Sequence, residues 1–335
     1  MITYLSKLLD NEDPVIIMPF KGYANAERLY GQARVLEDEG IANVEAEGVI
    51  GNLHRSFKRF ETDEIHGAKV HVSWPGGETT LISDKEGYVY LDVAYDPSLC
   101  DASAASIPLT YSLIERGEIS FTITSSAIRP LASAQFGVIS DMDETVLHTG
   151  LDSFLRWKVI VSTMFSDSTA RMPLEGVRDF YVKLAKGFSG KGQNPFFYLS
   201  NSPWNLYDYL QAFLEGKNFP QGPLLLRDIG LENKRKDSFL EGNKFIKISH
   251  ILQTYPKLPF LLIGDGEDLD PEIYLEIAKR FPNQVATIYI RSVSDKRKIK
   301  RITRLIANFE NVDIKLISHT NEAILHAIEK GYIKP

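Results

Sequence analysis

The sequence predicts an α/β protein in which a small all-β, sandwich-like domain precedes a mostly parallel sheet with helices on both faces. Two observations predict this architecture. Before about residue 130, short apolar runs are separated by turn residues, whereas after it apolar strand-like runs alternate with helical patterns. We therefore expect an N-terminal domain at 1–130 and a C-terminal domain at 131–335.

The N-terminal domain has several segments with the pattern of β-strands. Turn residues such as Pro75-Gly76-Gly77 separate them, and most alternate apolar with polar residues, as strands with one buried face do. The predicted strands are 15–18, 70–74, 88–93, 111–114 and 119–123. We expect no metal site in this domain, because His54, His66 and His71 do not have the spacing of metal ligands.

The C-terminal domain alternates between strand and helix patterns. The predicted strands are 136–140, 196–200, 224–227, 260–264, 286–290 and 313–317. The predicted helices are 174–186, 204–215, 242–255, 271–281 and 320–329. Such alternation favours a parallel sheet, and open parallel sheets bind ligands at the carboxyl ends of their strands.

The motif Ser140-Asp141-Met142-Asp143-Glu144-Thr145 begins at the end of the first of these strands. One carboxylate can attack phosphorus, and a second can protonate a leaving alcohol and later activate water. Because two anions repel a phosphate, the pair also needs a divalent cation, for which Mg²⁺ with oxygen ligands is the natural choice. The alternative is a turn rich in polar residues, but chance gives Asp-x-Asp-x-Thr in only about one chain in twenty of this length.

Two later strand ends carry further candidates. Ser200 ends the second predicted strand and can donate a hydrogen bond to a phosphoryl oxygen. The following Ser202-Pro203 is typical of a helix N-terminus. Asp265 follows the fourth predicted strand as a natural further metal ligand, and Asp270 or Asp268 would complete or orient the metal shell.

A phosphate site with several carboxylates also needs a cationic side chain. Lys244 lies at the start of the predicted helix 242–255, upstream of Asp265 in the sequence. A lysine there can hold a phosphoaspartate and offset negative charge in the transition state. On chemistry alone, Lys247 is nearly as good a candidate for this role.

Taken in order, these motifs are similar to the haloacid dehalogenase superfamily of phosphotransferases. A closer resemblance is to the phosphatidate phosphatase family named after a yeast actin-patch protein, and it extends from about Pro19 to Gly331. The matching segments are Gly22-Tyr23, Ser140–Thr145, Tyr198–Trp204, Arg227-Asp228, Ile263–Tyr274 and Tyr289–Arg291.

The resemblance implies a role for each candidate residue. Asp141 would be the nucleophile, Asp143 the general acid and base, Ser200 the phosphate-binding hydroxyl and Lys244 the stabilising cation. The implied Mg²⁺ ligands are Asp141, Asp143, Asp265 and Asp270. The resemblance to the superfamily also implies a cap between the first two strands, at about 149–192, which is short in this chain.

Two departures from the family pattern concern acidic residues. Glu144 stands where the family usually has Asp, and Gly266-Glu267-Asp268 replaces a more usual Ser-Gly-polar run. It therefore stays open which of Glu267, Asp268 and Asp270 completes the metal shell. The implied activity is that of a Mg²⁺-dependent phosphomonoesterase with an aspartyl-phosphate intermediate, acting foremost on phosphatidate.

The composition favours a cytoplasmic protein that is at most peripheral to membranes. The net charge of −6 argues against nucleic acid as a partner. The single cysteine, Cys100, excludes an internal disulfide framework and indicates either a reducing compartment or indifference to redox conditions. Residues Met1 to Asp10 contain no apolar stretch of signal length, and no segment reaches the roughly 18 consecutive apolar residues of a membrane span.

Two segments bear on the substrate. The apolar segment Phe154–Phe165 either touches a lipid or packs as a cap helix on the core. The basic run Lys296–Arg301, continued by Arg304, either lies near anionic lipid headgroups or forms a solvated helix face. Two alternative functions stay open: a phosphatase for a soluble phosphomonoester, and a membrane- or partner-binding module with minor activity.

Overall fold

A computed structural model describes residues 14–38, 63–142, 176–227, 242–267 and 269–335. The chain divides into two compact units. The first contains Met1–Ala102 and Ser106–Ala127, and the second contains Ser103–Ala105 and Ile128–Pro335. Several residues named above lie outside the described ones, among them Asp143, Asp268, the apolar Phe154–Phe165 and most of the predicted cap insert.

The first unit is built on one seven-stranded sheet. Its strands are β1 (Val15–Ala24), β2 (Arg28–Glu37), β3 (Lys69–Trp74), β4 (Gly77–Ile82), β5 (Tyr88–Ala94), β6 (Ser106–Glu115) and β7 (Glu118–Ile128). Their order across the sheet is β4-β3-β6-β7-β1-β2-β5. The two outer strands, β4 and β5, contact each other, so the sheet nearly closes into a barrel around one apolar core.

This arrangement differs from the predicted sandwich of two sheets. In β3, Val70 and Val72 are buried in the core, whereas His71 between them lies 3.4 Å from the Glu78 carboxylate (Nε2 to Oε2). Sandwiches and barrels both bury one face of each strand, so the alternation in the sequence is the same for both. Only the pairing of strands distant in the sequence decides between them.

The second unit is built on a six-stranded sheet whose neighbouring strands all pair in parallel. Its strands are β8 (Gly137–Asp141), β9 (Phe196–Pro203), β10 (Leu224–Arg227), β11 (Phe260–Asp265), β12 (Val285–Arg291) and β13 (Asp313–Ile317). The central strands β8 and β11 are buried along their whole length. Continuous apolar runs of this kind are what strands covered on both faces require.

Helices cover both faces of this sheet. They are α1 (Val177–Lys186), α2 (Tyr207–Gly216), α3 (Asn243–Thr254), α4 (Asp270–Arg280), α5 (Lys296–Ala307) and α6 (Thr320–Glu329). Ser140 in β8 hydrogen-bonds to Tyr181 of α1, whereas the next residue, Asp141, contacts Lys244 of α3. Successive side chains of a strand point to opposite faces, so α1 and α3 lie on opposite faces of the sheet.

The strand order locates the place where a ligand can bind. The order is β10-β9-β8-β11-β12-β13, so the chain moves outward from β8 in one direction and from β11 in the other. The carboxyl ends of these two neighbouring strands therefore border a crevice at the topological switch point, which is where open α/β sheets bind ligands. Among the helices of the described ranges, none is long and apolar enough to cross a membrane.

Candidate active site

Three aspartates meet at the switch point between β8 and β11. Asp141 ends β8, Asp265 ends β11 and Asp270 begins α4, and all three are buried. One carboxylate oxygen from each lies within 4.8 Å of those of the other two. Carboxylates packed this closely in a buried place repel one another unless cations offset their charge.

Lys244 supplies one such cation from α3. Its Nζ donates to Asp141 Oδ1 at 3.0 Å and also to Asp270 Oδ1, and the residue is buried. Lys247, one helical turn later, donates instead to the backbone carbonyl of Leu226 in β10. The structure thus brings Lys244 to the aspartates, a choice that the chemistry of the sequence had left open between the two lysines.

The electrostatics keep Lys244 charged. Burial by itself would lower the pKa of the ammonium, but the Asp141 and Asp270 carboxylates outweigh it and raise that pKa well above its usual range. With the three aspartates ionised, the cluster of four side chains carries a net charge of −2. The ammonium offsets part of the repulsion between the carboxylates but leaves a net negative site.

Asp270 is fixed by its surroundings. Its Oδ2 accepts the backbone N–H of Asp265 at 3.4 Å and lies 3.5 Å from the Tyr274 hydroxyl, which donates to the Ile263 carbonyl at 3.1 Å. Burial first, and then the charge of the neighbouring aspartates, raises the pKa of Tyr274 well above its usual range, so the hydroxyl stays protonated. The absence of a side chain at Gly264 leaves room for the Asp270 carboxylate and the Tyr274 ring, because a Cβ there would lie 2.3 Å from Asp270 Oδ2 and 2.8 Å from the Tyr274 ring.

Gly264→Ala is therefore expected to destabilise the second unit by about 1–3 kcal/mol, as overpacking of a filled interior does. Urea unfolding followed by circular dichroism measures the change. Gly216→Ala is the matched control, because nothing lies within 4 Å of a Cβ at that helical position. Equal unfolding midpoints for the two variants would show that Asp270 does not need the space above Gly264.

The sequence left three acidic residues as candidates to complete the metal shell, and the structure distinguishes between two of them, Glu267 and Asp270. Glu267 donates its backbone N–H to Asp265 Oδ1 at 2.6 Å, but its carboxylate lies 2.5 Å from the Lys298 ammonium of α5. Asp270, by contrast, lies within the cluster. The third candidate, Asp268, lies outside the described residues.

Ser200 lies at the same edge of the sheet as the aspartates. Its neighbour Leu199 pairs with Asp141 in the parallel register of β8 and β9, and Ser200 is buried. The Ser200 Oγ accepts the backbone N–H of Ser202 at 2.9 Å, which orients the hydroxyl near the end of β9. Asp143 falls in the part of the chain that the structure leaves undescribed, so its role stays a prediction.

Residues 136–292 match the family model described as the catalytic domain of phosphatidate phosphatase APP1. This segment, slightly less than half of the chain, is similar to that catalytic domain. Phosphatidate phosphatase APP1 of Saccharomyces cerevisiae is 32% identical over 178 residues, which make up 53% of this chain and 29% of the yeast protein. An uncharacterized protein of Schizosaccharomyces pombe is 30% identical over 160 residues, or 47% of this chain and 25% of that protein. The chain thus spans less than a third of the length of these curated relatives.

Solved structures give only faint likenesses. A carbohydrate acetylesterase from Xanthomonas citri has a TM-score of 0.34 at 8% identity, covering 91% of this chain and 69% of that one. A glycosyl hydrolase family 2 member from Bacteroides cellulosilyticus has a TM-score of 0.26 at 10% identity, covering 90% of this chain and 45% of that one. Scores this low carry no argument about fold or function.

The APP1 catalytic-domain segment contains the whole described cluster. It begins just before β8 and ends just after β12. The resemblance predicted from the motifs is confirmed for this segment, although the motifs had suggested a match from about Pro19 to Gly331. The seven-stranded sheet and helix α5 lie outside the APP1 family match.

The APP1 segment also contains a cation to which the sequence had assigned no role. Arg291 ends β12 in register with Asp265, and its Nη2 donates to Thr320 Oγ1 at 3.3 Å. Burial lowers the pKa of this guanidinium, while the nearby Asp265 carboxylate acts in the opposite direction. The sequence did carry a signal for this residue. Arg291 directly follows the predicted strand 286–290, and the carboxyl ends of neighbouring parallel strands meet at one edge of the sheet.

Proposed function

We propose that this protein is a Mg²⁺-dependent phosphomonoesterase with a haloacid dehalogenase-like catalytic domain, and that its substrate is a lipid phosphate, foremost phosphatidate. One observation carries the proposal: three buried aspartates and a lysine meet at the switch point of a parallel sheet, inside a segment that is similar to the APP1 catalytic domain. The name of the yeast relative supports phosphatidate as the substrate.

The residues present suit a magnesium ion. Mg²⁺ prefers oxygen ligands, and the three aspartates offer carboxylate oxygens within 4.8 Å of one another in a site of net charge −2. We assign Asp141, Asp265 and Asp270 as ligands, with Asp143 as a further ligand. A bound Mg²⁺ would neutralise negative charge on the phosphate next to these carboxylates.

In the first half of the proposed reaction, Asp141 is the nucleophile. Its carboxylate oxygen forms a bond to phosphorus while the bond from phosphorus to the leaving alkoxide oxygen breaks. Protonated Asp143 gives its proton to that oxygen, so that the product leaves as an alcohol. The enzyme is left with an aspartyl-phosphate at Asp141.

In the second half, Asp143 acts as a base. It takes a proton from a water molecule whose oxygen attacks the phosphorus, and the bond from phosphorus to Asp141 breaks. Inorganic phosphate leaves, Asp141 regains its carboxylate and Asp143 is protonated again. The same residue thus serves as acid in one half of the reaction and as base in the other.

Lys244 and Ser200 prepare the site for this chemistry. The Lys244 ammonium contacts both Asp141 and Asp270, so it orients the Asp141 carboxylate and offsets its charge. Ser200, one residue beyond the strand position paired with Asp141, would donate to a phosphoryl oxygen. Fixed donors of this kind stabilise the charge that develops in the transition state.

The proposal is tested by measuring phosphate release with Mg²⁺ from phosphatidate in mixed micelles, from lysophosphatidate and from soluble phosphomonoesters. We expect the highest kcat/KM for phosphatidate and a loss of all release when excess EDTA removes the metal. Release from soluble esters alone would keep the chemistry and refute the lipid substrate. No release from any substrate would refute the phosphatase and favour a binding module.

A further inference from the structure

Helix α5 concentrates positive charge in an acidic protein. Its 12 residues, Lys296–Ala307, include six Lys or Arg and no acidic residue, whereas the whole chain has a net charge of −6. The helix begins just past the segment that matches the APP1 catalytic-domain family. Its charge is therefore not accounted for by the family match.

Two of the six cations attach α5 to the segment that carries the aspartates. The Lys298 ammonium lies 2.5 Å from the Glu267 carboxylate and donates to the Glu267 carbonyl at 2.9 Å. The Arg301 guanidinium lies 3.3 Å from the Glu272 carboxylate in the first turn of α4. These contacts fall on both sides of Asp270, so α5 lies directly beside the segment that supplies Asp265 and Asp270.

The other four cations have no ion-pair partner among the residues that the structure describes. They are Lys296, Arg297, Lys300 and Arg304, and all four are exposed. Arg297, Lys300 and Arg304 follow one another at helical spacing and line one shallow surface depression. On the opposite side of the helix, Ile302 is fully buried, so the cations are held on a fixed outer surface.

We propose that this outer surface, made by Lys296, Arg297, Lys300 and Arg304 and called here the α5 basic face, docks the protein on an anionic phospholipid membrane. Exposed cations near such a membrane contribute about 1 kcal/mol each to binding. The proposal rests on the proposed function only for the choice of a membrane as partner, because a lipid phosphate is found there.

A nucleic acid fits the α5 basic face less well. The helix contains no aromatic residue on which a base can stack, and the net negative charge of the chain opposes binding to an extended polyanion. A membrane surface requires no stacking and is met by one face of the molecule alone. Docking through α5 would hold the Asp265–Asp270 segment close to the lipid surface.

Vesicle sedimentation of the full chain tests the proposal. The vesicles are phosphatidylcholine alone, or phosphatidylcholine with about one quarter phosphatidylserine. We expect binding only to the anionic vesicles, with a loss of binding as salt is raised because the attraction is screened. Lys300→Gln/Arg304→Gln should weaken binding about 25-fold, which corresponds to about 1 kcal/mol for each of two cations.

The matched control is Lys183→Gln/Lys186→Gln, which removes the same charge from two exposed lysines of α1. This control should bind like the wild type, and equal weakening by both double variants would overturn the α5 basic face as the docking surface. Tighter binding of the wild type to a single-stranded oligonucleotide than to anionic vesicles at the same salt would overturn the choice of a membrane.

The assay separates this proposal from the phosphatase itself, because sedimentation requires no turnover. Vesicle binding that depends on Lys300 and Arg304, in a protein that releases no phosphate, would support the docking surface and refute the phosphatase. If the protein hydrolyses phosphatidate in micelles but does not bind anionic vesicles, the docking proposal is refuted and the phosphatase proposal stands. If both proposals hold, the double variant should lose activity on phosphatidate in vesicles and keep it on a soluble ester.

Discussion

Asp141→Asn should lower phosphate release by about 10⁴-fold or more, because removal of a nucleophile leaves only the contributions of binding and charge stabilisation. The amide keeps the size of the side chain, so the sheet should still form. Asp141 also contacts Lys244, and the variant removes one charge from a cluster in which like charges repel. We therefore expect a folded protein without turnover.

Two readouts assign this loss to the covalent step. Acid quenching during turnover, followed by intact mass measurement, should find one added phosphoryl group on the wild type and none on Asp141→Asn. Asp313→Asn is the matched control, since Asp313 also pairs with a lysine, with its Oδ2 2.6 Å from Lys330 Nζ, but at the start of β13. That control should keep its activity and its phosphorylated form.

Substantial turnover by purified Asp141→Asn would show that another group attacks phosphorus. A phosphorylated form of Asp141→Asn would point to the same conclusion and would identify the other residue by peptide mapping. If Asp313→Asn lost as much activity as Asp141→Asn, the loss would follow from breaking any carboxylate–lysine pair. In each case the assignment of Asp141 as the nucleophile would be wrong.

Lys244→Met should lower kcat by about 10²–10³-fold, which is the usual effect of removing one preorganised charge from an active site. The methionine fills the space of the lysine stem but leaves Asp141 and Asp270 without the ammonium that both contact. Breaking a buried pair in this way destabilises a protein by about 3–5 kcal/mol. The variant should therefore also be markedly less stable in the absence of metal.

The response to Mg²⁺ distinguishes a charge effect from simple damage to the fold. Without Lys244 the cluster has a net charge of −3, so Mg²⁺ should bind it more tightly and raise its melting temperature more than that of the wild type. The rate should nevertheless stay low at saturating Mg²⁺. Restoration of the wild-type rate by Mg²⁺ alone would show that the lysine only balances charge.

Lys247→Met is the matched control for Lys244→Met. It removes a lysine one turn later in the same helix. The Nζ of Lys247 donates to the Leu226 carbonyl, whereas that of Lys244 donates to the aspartates of the cluster. We expect its kcat to stay near that of the wild type and its melting temperature to respond to Mg²⁺ as the wild type does. Similar losses of kcat in both variants would contradict the special role of Lys244.

The parallel sheet could be predicted from the sequence because its central strands, β8 and β11, are buried on both faces. Such strands are continuous apolar runs that end where polar residues begin, so the strands predicted at 136–140 and 260–264 agree within one residue with β8 and β11. The same ends placed Asp141 and Asp265 at the edge of the sheet. The start of α2 was wrong, because β9 continues through Ser202 to Pro203 and a 3-10 turn precedes the helix.

Local chemistry alone does not decide among neighbouring residues, although the family resemblance favoured Lys244 over Lys247. Lys244 and Lys247 are of the same type and stand on one helix, and only the packing of α3 against the sheet sends one to the aspartates and the other to a carbonyl. Glu267 and Asp270 are likewise distinguished only by a distant residue. Lys298, about thirty positions further along the chain, pairs with Glu267, whereas Asp270 joins the cluster. Contacts between distant segments leave no local pattern.

The first unit illustrates the same limit for strands. β2 was not predicted because glycine, glutamine and arginine interrupt its apolar residues, yet Arg34 is buried there with its Nη2 2.6 Å from Glu64 Oε1 and its guanidinium over the Tyr88 ring. β4 has the polar run Gly-Glu-Thr-Thr and was also missed. Both strands form because long-range pairing and ion pairs outweigh weak local preference.

The aspartate cluster joins parts of the chain that lie far apart in the sequence. Lys244 and Asp141 are 103 positions apart, and Lys244 and Asp270 are 26 apart. No short segment of the chain contains both Lys244 and Asp141. The site therefore forms only when most of the second unit has folded. The entropy of closing a loop rises slowly, by about 0.6 kcal/mol for each doubling of its length. Insertions between these elements should therefore leave the constellation of charges intact, and the connecting segments are free to diverge while the strand ends stay fixed.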